Sequence, residues 1–392
     1  MMHGLEARPV DPIKENSMCT TLMLTAQDGA VVSGRTMEFG FDLKSNVLVF
    51  PAGTPMTGTL PDGGPGISYR TDYGMIGANA LGYDVIVDGI NEKGLYLSIL
   101  YFPGCAEYAD VTSKSVNASS AMAPHEIGNW VLGTCATIED VRARIGTIVL
   151  GNTVVPALGG PAPIHLIVRD STGKSLVVEP LEGKLKVYDN PVGVMTNSPP
   201  FDWHLTNLRN YNGLRPENVK NILLGGGLEL PQMGQGNGLF GLPGDSSPPS
   251  RFVRAVAYAQ TALKTATGQD AVLQVFHIMN TFDIPVGSVR EIIEDDHENS
   301  PRSVHNEVED EVEFHCDYTS WTSAADITNR RWYFRTYNDQ TIRVVDIGKT
   351  LEAAKGLPVD KSLKPGAPLI IAMDSKQPVV DTSTDFLQPT AL

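Results

Sequence analysis

The chain has 392 residues, a formal charge of −15, and 42% hydrophobic and 19% charged residues. That is the composition of a globular protein with a sizeable core and many turns. The acidic balance excludes a nucleic-acid binder, which clusters Lys and Arg against phosphate, and it argues against an anionic membrane surface.

Cys19, Cys105, Cys135 and Cys316 are widely spaced and form no CxxC pair. Neither a zinc site nor a disulfide scaffold is expected, and a reducing, cytoplasmic compartment fits. Residues 1–17 hold Pro9, Asp11, Pro12 and Glu15 and no apolar run of secretory type. No stretch is apolar for long enough to span a bilayer.

In chain order, Thr20–Thr25, the turn Asp28-Gly29 and Ala30–Ser33 read as a hairpin over 20–34. It runs into Gly34-Arg35-Thr36-Met37-Glu38-Phe39-Gly40, two charges in an apolar setting. Asn46–Phe50 is a further strand, and residues 51–66, dense in Pro, Gly and Thr, read as a loop. Leu95–Phe102 is a strand entered through Asn91-Glu92-Lys93-Gly94. Ala123–Leu132 and Ile138–Ile145 have helical spacing, the latter capped by Thr137 with Glu139 and Asp140 in its first turn. Strands follow at Ile164–Val168, Ser175–Glu179, Leu185–Tyr188 and Gly193–Thr196, then a helix at Phe201–Tyr211. Residues 224–250 form a long ordered loop. Arg251–Thr267 and Val272–Thr281 read as helices, and the acidic stretch 291–313 as a solvated excursion. Tyr318–Ala325, Trp332–Thr336 and Ile342–Val345 return to strand. No repeat and no composition break marks a boundary, which suits a single layered α+β domain over 19–392.

Gly236-Asn237-Gly238-Leu239-Phe240-Gly241 satisfies G-x-G-x-x-G, yet no strand precedes it and no helix follows, so a glycine-rich loop is expected. His297, His305 and His315 lie among acidic residues, where exposed histidines need no metal. Neither a metal nor a cofactor is expected.

Cys19 is the sharper feature. A free α-amino group titrates at about 7.7–8.0, so an N-terminal cysteine carries its own base beside its thiol. The condition is strict: while Met18 is attached, that nitrogen is an amide. Residues 1–18 therefore read as an extension or propeptide absent from the active protein.

The run Met18-Cys19-Thr20, followed by Gly34-Arg35-Thr36-Met37-Glu38-Phe39, resembles the choloylglycine hydrolase group of N-terminal-nucleophile hydrolases. That group contains penicillin V acylases and bile salt hydrolases. Further matches come in order: Asn91-Glu92-Lys93-Gly94-Leu95, Val194-Met195-Thr196-Asn197-Ser198-Pro199, Trp203-His204, Gly241-Leu242-Pro243-Gly244-Asp245 and Ser250-Arg251-Phe252. The resemblance spans Cys19 to about Asn338 and leaves residues 1–17 and 291–313 unmatched.

It implies a four-layer αββα sandwich and a linear amide hydrolase that forms an acyl-thioester on Cys19, with no cofactor. By resemblance Arg35 lies against the thiolate and stabilises its charge. Glu38 stands where aspartate is usual and orients the amine. Asn197 supplies the oxyanion donor and Arg251 an active-site cation. Tyr101 is tyrosine as in penicillin V acylases, where bile salt hydrolases usually have asparagine, and so implies a small aromatic acyl group. A bile salt hydrolase and an acyl homoserine lactone acylase are the alternatives. A non-catalytic small-molecule-binding relative is the reading from a different class. Homotetramers are common in the family, with 200–235 a candidate contact loop.

Overall fold

The computed structural model describes residues 18–292, 314–355 and 364–374. The expected hairpin forms from strands Cys19–Thr25 and Val31–Phe39, paired antiparallel with Cys19 opposite Met37. Its turn is held by Asp28, whose Oδ1 accepts from Ala30 N (3.0 Å), and by Gly29 at φ +85°, a conformation that side chains oppose.

All nine residues of Val31–Phe39 are buried, although Arg35 and Glu38 are among them. The strand must therefore be covered on both faces, and its period of two decides which layer each residue meets. Gly34, Thr36 and Glu38 face one way. Helix Gly268–Met279 comes so near that a Cβ on Gly34 would sit 2.2 Å from Val275 Cγ1, which is why glycine stands there. Ser33, Arg35 and Met37 face the other way, toward a second sheet. From that sheet Arg169 reaches Thr21 Oγ1 (2.8 Å) and Ser33 Oγ.

The first sheet orders its strands as Cys19–Thr25, Val31–Phe39, Phe314–Asp326, Arg331–Thr336 and Arg343–Asp346, with Val289–Ile292 also paired to Phe314–Asp326. The second has eight strands, in the order Lys184–Asp189, Ser175–Leu181, Ile164–Asp170, Leu95–Tyr101, Asp88–Asn91, Met75–Ala78, Asn46–Phe50 and Leu369–Ala372. Helices Pro248–Thr261 and Gly268–Met279 pack on the first sheet, and Ile127–Thr134 and Ile138–Arg144 on the second. The result is the expected four-layer αββα sandwich of α+β class, with the apolar core between the sheets.

Thr137 caps Ile138–Arg144 as expected, its side chain accepting from Asp140 N. Phe201–Tyr211 is helical, in two pieces, Phe201–Asn207 and Leu208–Tyr211. Other expectations are corrected. Residues 51–66 are not all loop: Pro55–Thr59 and Pro65–Arg70 pair as a hairpin, each with proline at its first position, where no ladder donor is lost. Gly193–Thr196 forms only the bridge Thr21–Met195. The helix expected from Arg251 starts earlier, at Pro248, and ends at Thr261, and the next starts at Gly268. Helix Ile347–Lys355 and strand Leu369–Ala372 were not expected. Most of the acidic stretch 291–313, with His297 and His305, lies outside the described residues.

Candidate active site

Because Cys19 pairs with Met37, its side chain shares a face with Met37 and Arg35, between the two sheets. Arg35 Nη2 donates to Cys19 Sγ at 3.3 Å, and Met37 Sδ lies 3.9 Å from the same sulfur. The guanidinium is held on its far side. Nη1 donates to the Val87 carbonyl (2.7 Å) and lies 3.9 Å from Asp88 Oδ2, while Cζ sits 5.2 Å from the Trp321 ring centroid. Burial works against this cation, but Cys19 and Asp88 outweigh it and hold the Arg35 pKa above its ordinary value.

The main chain of Cys19 meets the other cation. Arg251, on helix Pro248–Thr261, donates from Nη1 to the Cys19 carbonyl and to Thr20 Oγ1 (2.8 Å), and from Nη2 to Asn197 Oδ1 (2.6 Å). Burial pulls its pKa down to about 10, against the pull of Glu38 and Cys19. Asn197 Oδ1 also accepts from Cys19 N (3.0 Å), and its Nδ2 donates to the Tyr101 carbonyl (2.8 Å). Two buried histidines brace this turn. His204 Nε2 donates to the Asn197 carbonyl (2.9 Å) and His165 Nε2 to the Thr196 carbonyl (3.0 Å).

Direct contacts thus join Cys19, Arg35, Asn197, Arg251 and the backbone of Tyr101. The Glu38 carboxyl stands apart. It faces the helix layer, where Oε1 accepts from Thr319 Oγ1 (3.1 Å) and Oε2 has no partner among the described residues. Its link to the N-terminal side is through the backbone, its N–H donating to the Met18 carbonyl (3.0 Å). Burial pushes its pKa up to about 7, with Arg251 opposing. With Met18 attached, the Cys19 nitrogen is an amide and has no proton-accepting role.

Cys19 and Arg35 form part of the wall of a cavity with about 660 Å³ of empty space, open mouth included. Most of that wall is carbon, from Phe39, Leu43, Val85, Ile99, Val155 and Leu158 among others; Tyr101 also contributes. The glycine-rich run Gly236–Gly241 is a loop, with Gly236 and Gly241 at positive φ and no long helix following directly. Among the described residues no three His, Cys, Asp or Glu side chains group as a metal site, the four cysteines are free, and no helix is long and apolar enough to cross a membrane.

The sequence profile of the linear amide C–N hydrolases, choloylglycine hydrolase family, matches residues 19–353. The chain belongs to that family. A bile salt hydrolase/transferase of Clostridium perfringens is 30% identical over 334 residues, covering 85% of this chain and 93% of the relative. A conjugated bile acid hydrolase of Lactobacillus acidophilus is 34% identical, covering 69% of this chain and 84% of the relative. A penicillin V acylase of Pectobacterium atrosepticum is 28% identical and matches less, 58% of this chain and 56% of the relative. A solved variant of the Clostridium perfringens conjugated bile acid hydrolase superposes with a TM-score of 0.69 at 29% identity, over 84% of this chain and 93% of that one. The bile acid enzymes are thus matched at higher identity and over more of the chain than the acylase.

As a choloylglycine hydrolase family member, the chain is a linear amide hydrolase. Beside the residues expected from its motifs, the structure gathers around Arg35 several that carry no motif. Asp88 is fully buried between the sheets, where its carboxylate accepts from Tyr96 OH (2.5 Å), Trp332 Nε1 (2.8 Å) and Ser323 Oγ (2.9 Å) and faces Arg35. No linear pattern joins positions 35, 88, 323 and 332, so only the fold could reveal this hub. Met37 was legible, because it follows Arg35 by one strand period.

Proposed function

We propose that this protein hydrolyses the amide of a conjugated bile acid or a close analogue, with Cys19 as the nucleophile. The observation that carries the reading is the cavity: a thiol beside a buried cation, in the wall of an apolar space that suits a hydrocarbon-rich acyl group. The greater match to bile salt and bile acid hydrolases supports it over the penicillin V acylase reading.

In the mechanism, removal of residues 1–18 frees the α-amine of Cys19. The amine takes the thiol proton, and the thiolate beside Arg35 attacks the amide carbonyl carbon. Negative charge gathers on the carbonyl oxygen, for which Asn197 Nδ2 is the donor at hand, already oriented by the Tyr101 carbonyl. As the C–N bond breaks, the α-ammonium returns its proton to the leaving amine, and an acyl-thioester remains. Water, deprotonated by the α-amine, then attacks that thioester. The acid leaves and the thiol regains its proton. Arg251 holds Asn197 and the Cys19 carbonyl in register throughout.

The test is hydrolysis of glycocholate, penicillin V and an acyl homoserine lactone, with N-terminal sequencing of the purified protein. Preference for glycocholate by a chain beginning at Cys19 is expected. Cys19→Ser keeps the fold and loses most turnover; near-normal turnover refutes the nucleophile. Preference for penicillin V favours the second reading, which rests on Tyr101 in the cavity wall.

Self-association is the further part of this reading. Residues 222–240 present Leu223, Met233 and Phe240 at 73%, 106% and 91% exposure, an apolar arm suited to a second copy. Light scattering is expected to give an oligomer mass, and a monomer would overturn it.

A further inference from the structure

His125 lies in the wall of the cavity that holds Cys19 and Arg35. Its place is fixed from two sides. The next residue, Glu126, is clamped by three donors: Thr59 N (2.9 Å) and Ala123 N (3.0 Å) to Oε2, and Thr59 Oγ1 (2.7 Å) to Oε1. Tyr83, also in the cavity wall, packs edge-on against the imidazole with ring centroids 5.2 Å apart. Yet His125 Nδ1 is buried with no hydrogen-bond partner among the described residues.

Burial holds the ring's pKa down to about 4, so at neutral pH it is uncharged, with one N–H donor and one acceptor nitrogen. The same wall includes Leu81, Val85, Val155, Leu158 and Ala162, whose side chains carry no hydrogen-bonding group. A polar side chain held in place without a partner costs free energy, and a ligand that bonds it relieves that cost.

We propose that His125 is a specificity-determining residue that hydrogen-bonds an oxygen, foremost a hydroxyl, on the acyl part of the substrate. The inference rests on the reading of this cavity as the acyl site of the amide hydrolase. A hydroxyl donates and accepts, as a neutral imidazole does. A carboxylate offers only acceptors, and a hydrocarbon acyl group displaces water without replacing its hydrogen bonds.

The test uses two glycine conjugates of one steroid skeleton, glycocholate and its counterpart without hydroxyls. The unaltered protein is expected to prefer the hydroxylated conjugate by about tenfold in kcat/KM. His125→Phe is expected to lower that value about tenfold and to leave the other conjugate within about twofold. His125→Gln, which keeps a donor and an acceptor, retains most of the preference. Equal losses on both conjugates, or an unchanged preference in His125→Phe, overturn the proposal. Turnover of penicillin V but of neither conjugate sinks the bile-acid reading alone. His125 is then tested on phenoxyacetyl against 3-phenylpropanoyl amides, which exchange an ether oxygen for a methylene. A preference for the ether that His125→Phe abolishes supports the proposal there, and equal losses or an unchanged preference overturn it. Turnover of no amide overturns both.

Discussion

Arg35 couples the candidate chemistry to the stability of the core, and Arg35→Met separates the two. The guanidinium is fully buried and stands between Cys19 Sγ at 3.3 Å and Asp88 Oδ2 at 3.9 Å. Methionine fills much of the space and removes the charge. Asp88 then keeps its three donors, from Tyr96, Trp332 and Ser323, but loses the nearest cation. Breaking a buried pair from one side costs about 3–5 kcal/mol. Those three hydrogen bonds, and the more distant Arg169, put this case at the lower end, about 3 kcal/mol.

The double variant Arg35→Met, Asp88→Asn removes the orphaned charge, so it is expected to regain about 1–3 kcal/mol over the single variant. Activity behaves differently. Both variants lack the cation beside the sulfur, so amide turnover and iodoacetamide labelling of Cys19 stay low in both. Urea unfolding midpoints, labelling rates and kcat/KM on one amide substrate supply the readouts. An Arg35→Met protein as stable as the unaltered one refutes the buried-pair argument. Recovery of labelling and turnover in the double variant refutes the role of Arg35 at the sulfur.

Two pH predictions follow from buried groups, with opposite signs. The Glu38 carboxyl titrates at 4.5 when unfolded and at about 7 when buried, so between those values the folded chain holds a proton that the unfolded chain has lost. Its stabilising effect is full below about 4.5 and falls by up to about 3 kcal/mol as pH rises through 7. Glu38→Gln is expected to flatten that fall in urea midpoints measured across the range, and an unchanged slope counts against it. His204 is held down to about 4 from 6.5, so the unfolded chain binds the proton first and stability drops as pH falls from 6.5 toward 4. His204→Gln keeps a donor for the Asn197 carbonyl and is expected to flatten this acid limb; an unaltered limb refutes the assignment.

Much of the site was legible from residue order. Cys19 heads a β-rich run after Met18, the spacing 35, 37 marks one strand face, and the matched motifs supplied Asn197 and Arg251. What escaped has a physical reason in each case. The hairpin Pro55–Thr59 with Pro65–Arg70 hid behind the proline and glycine that normally signal loops, which at strand starts and under close neighbours are compatible with pairing. The surroundings of Glu38, expected to orient the Cys19 nitrogen, were not legible either: its carboxyl accepts from Thr319 and feels the charge of Arg251, both distant along the chain. Tyr101 suggested a penicillin V acylase, whereas the better-matched relatives are bile salt and bile acid hydrolases.

Local sequence determined the elements that depend on near neighbours: the Asp28-Gly29 turn, the Thr137 cap, the alternation that separates Arg35 from Glu38, and the cysteine at the head of its strand. Tertiary structure alone decided where charges from distant positions meet. Asp88, Ser323 and Trp332 come together because two sheets pack face to face, and Arg251 reaches Cys19 because helix Pro248–Thr261 lies across the first strand. It also decided that His125 enters the wall of the Cys19 cavity with its Nδ1 unpartnered among the described residues. Such groups are selected by desolvation and distance, which act through space and leave no period along the chain.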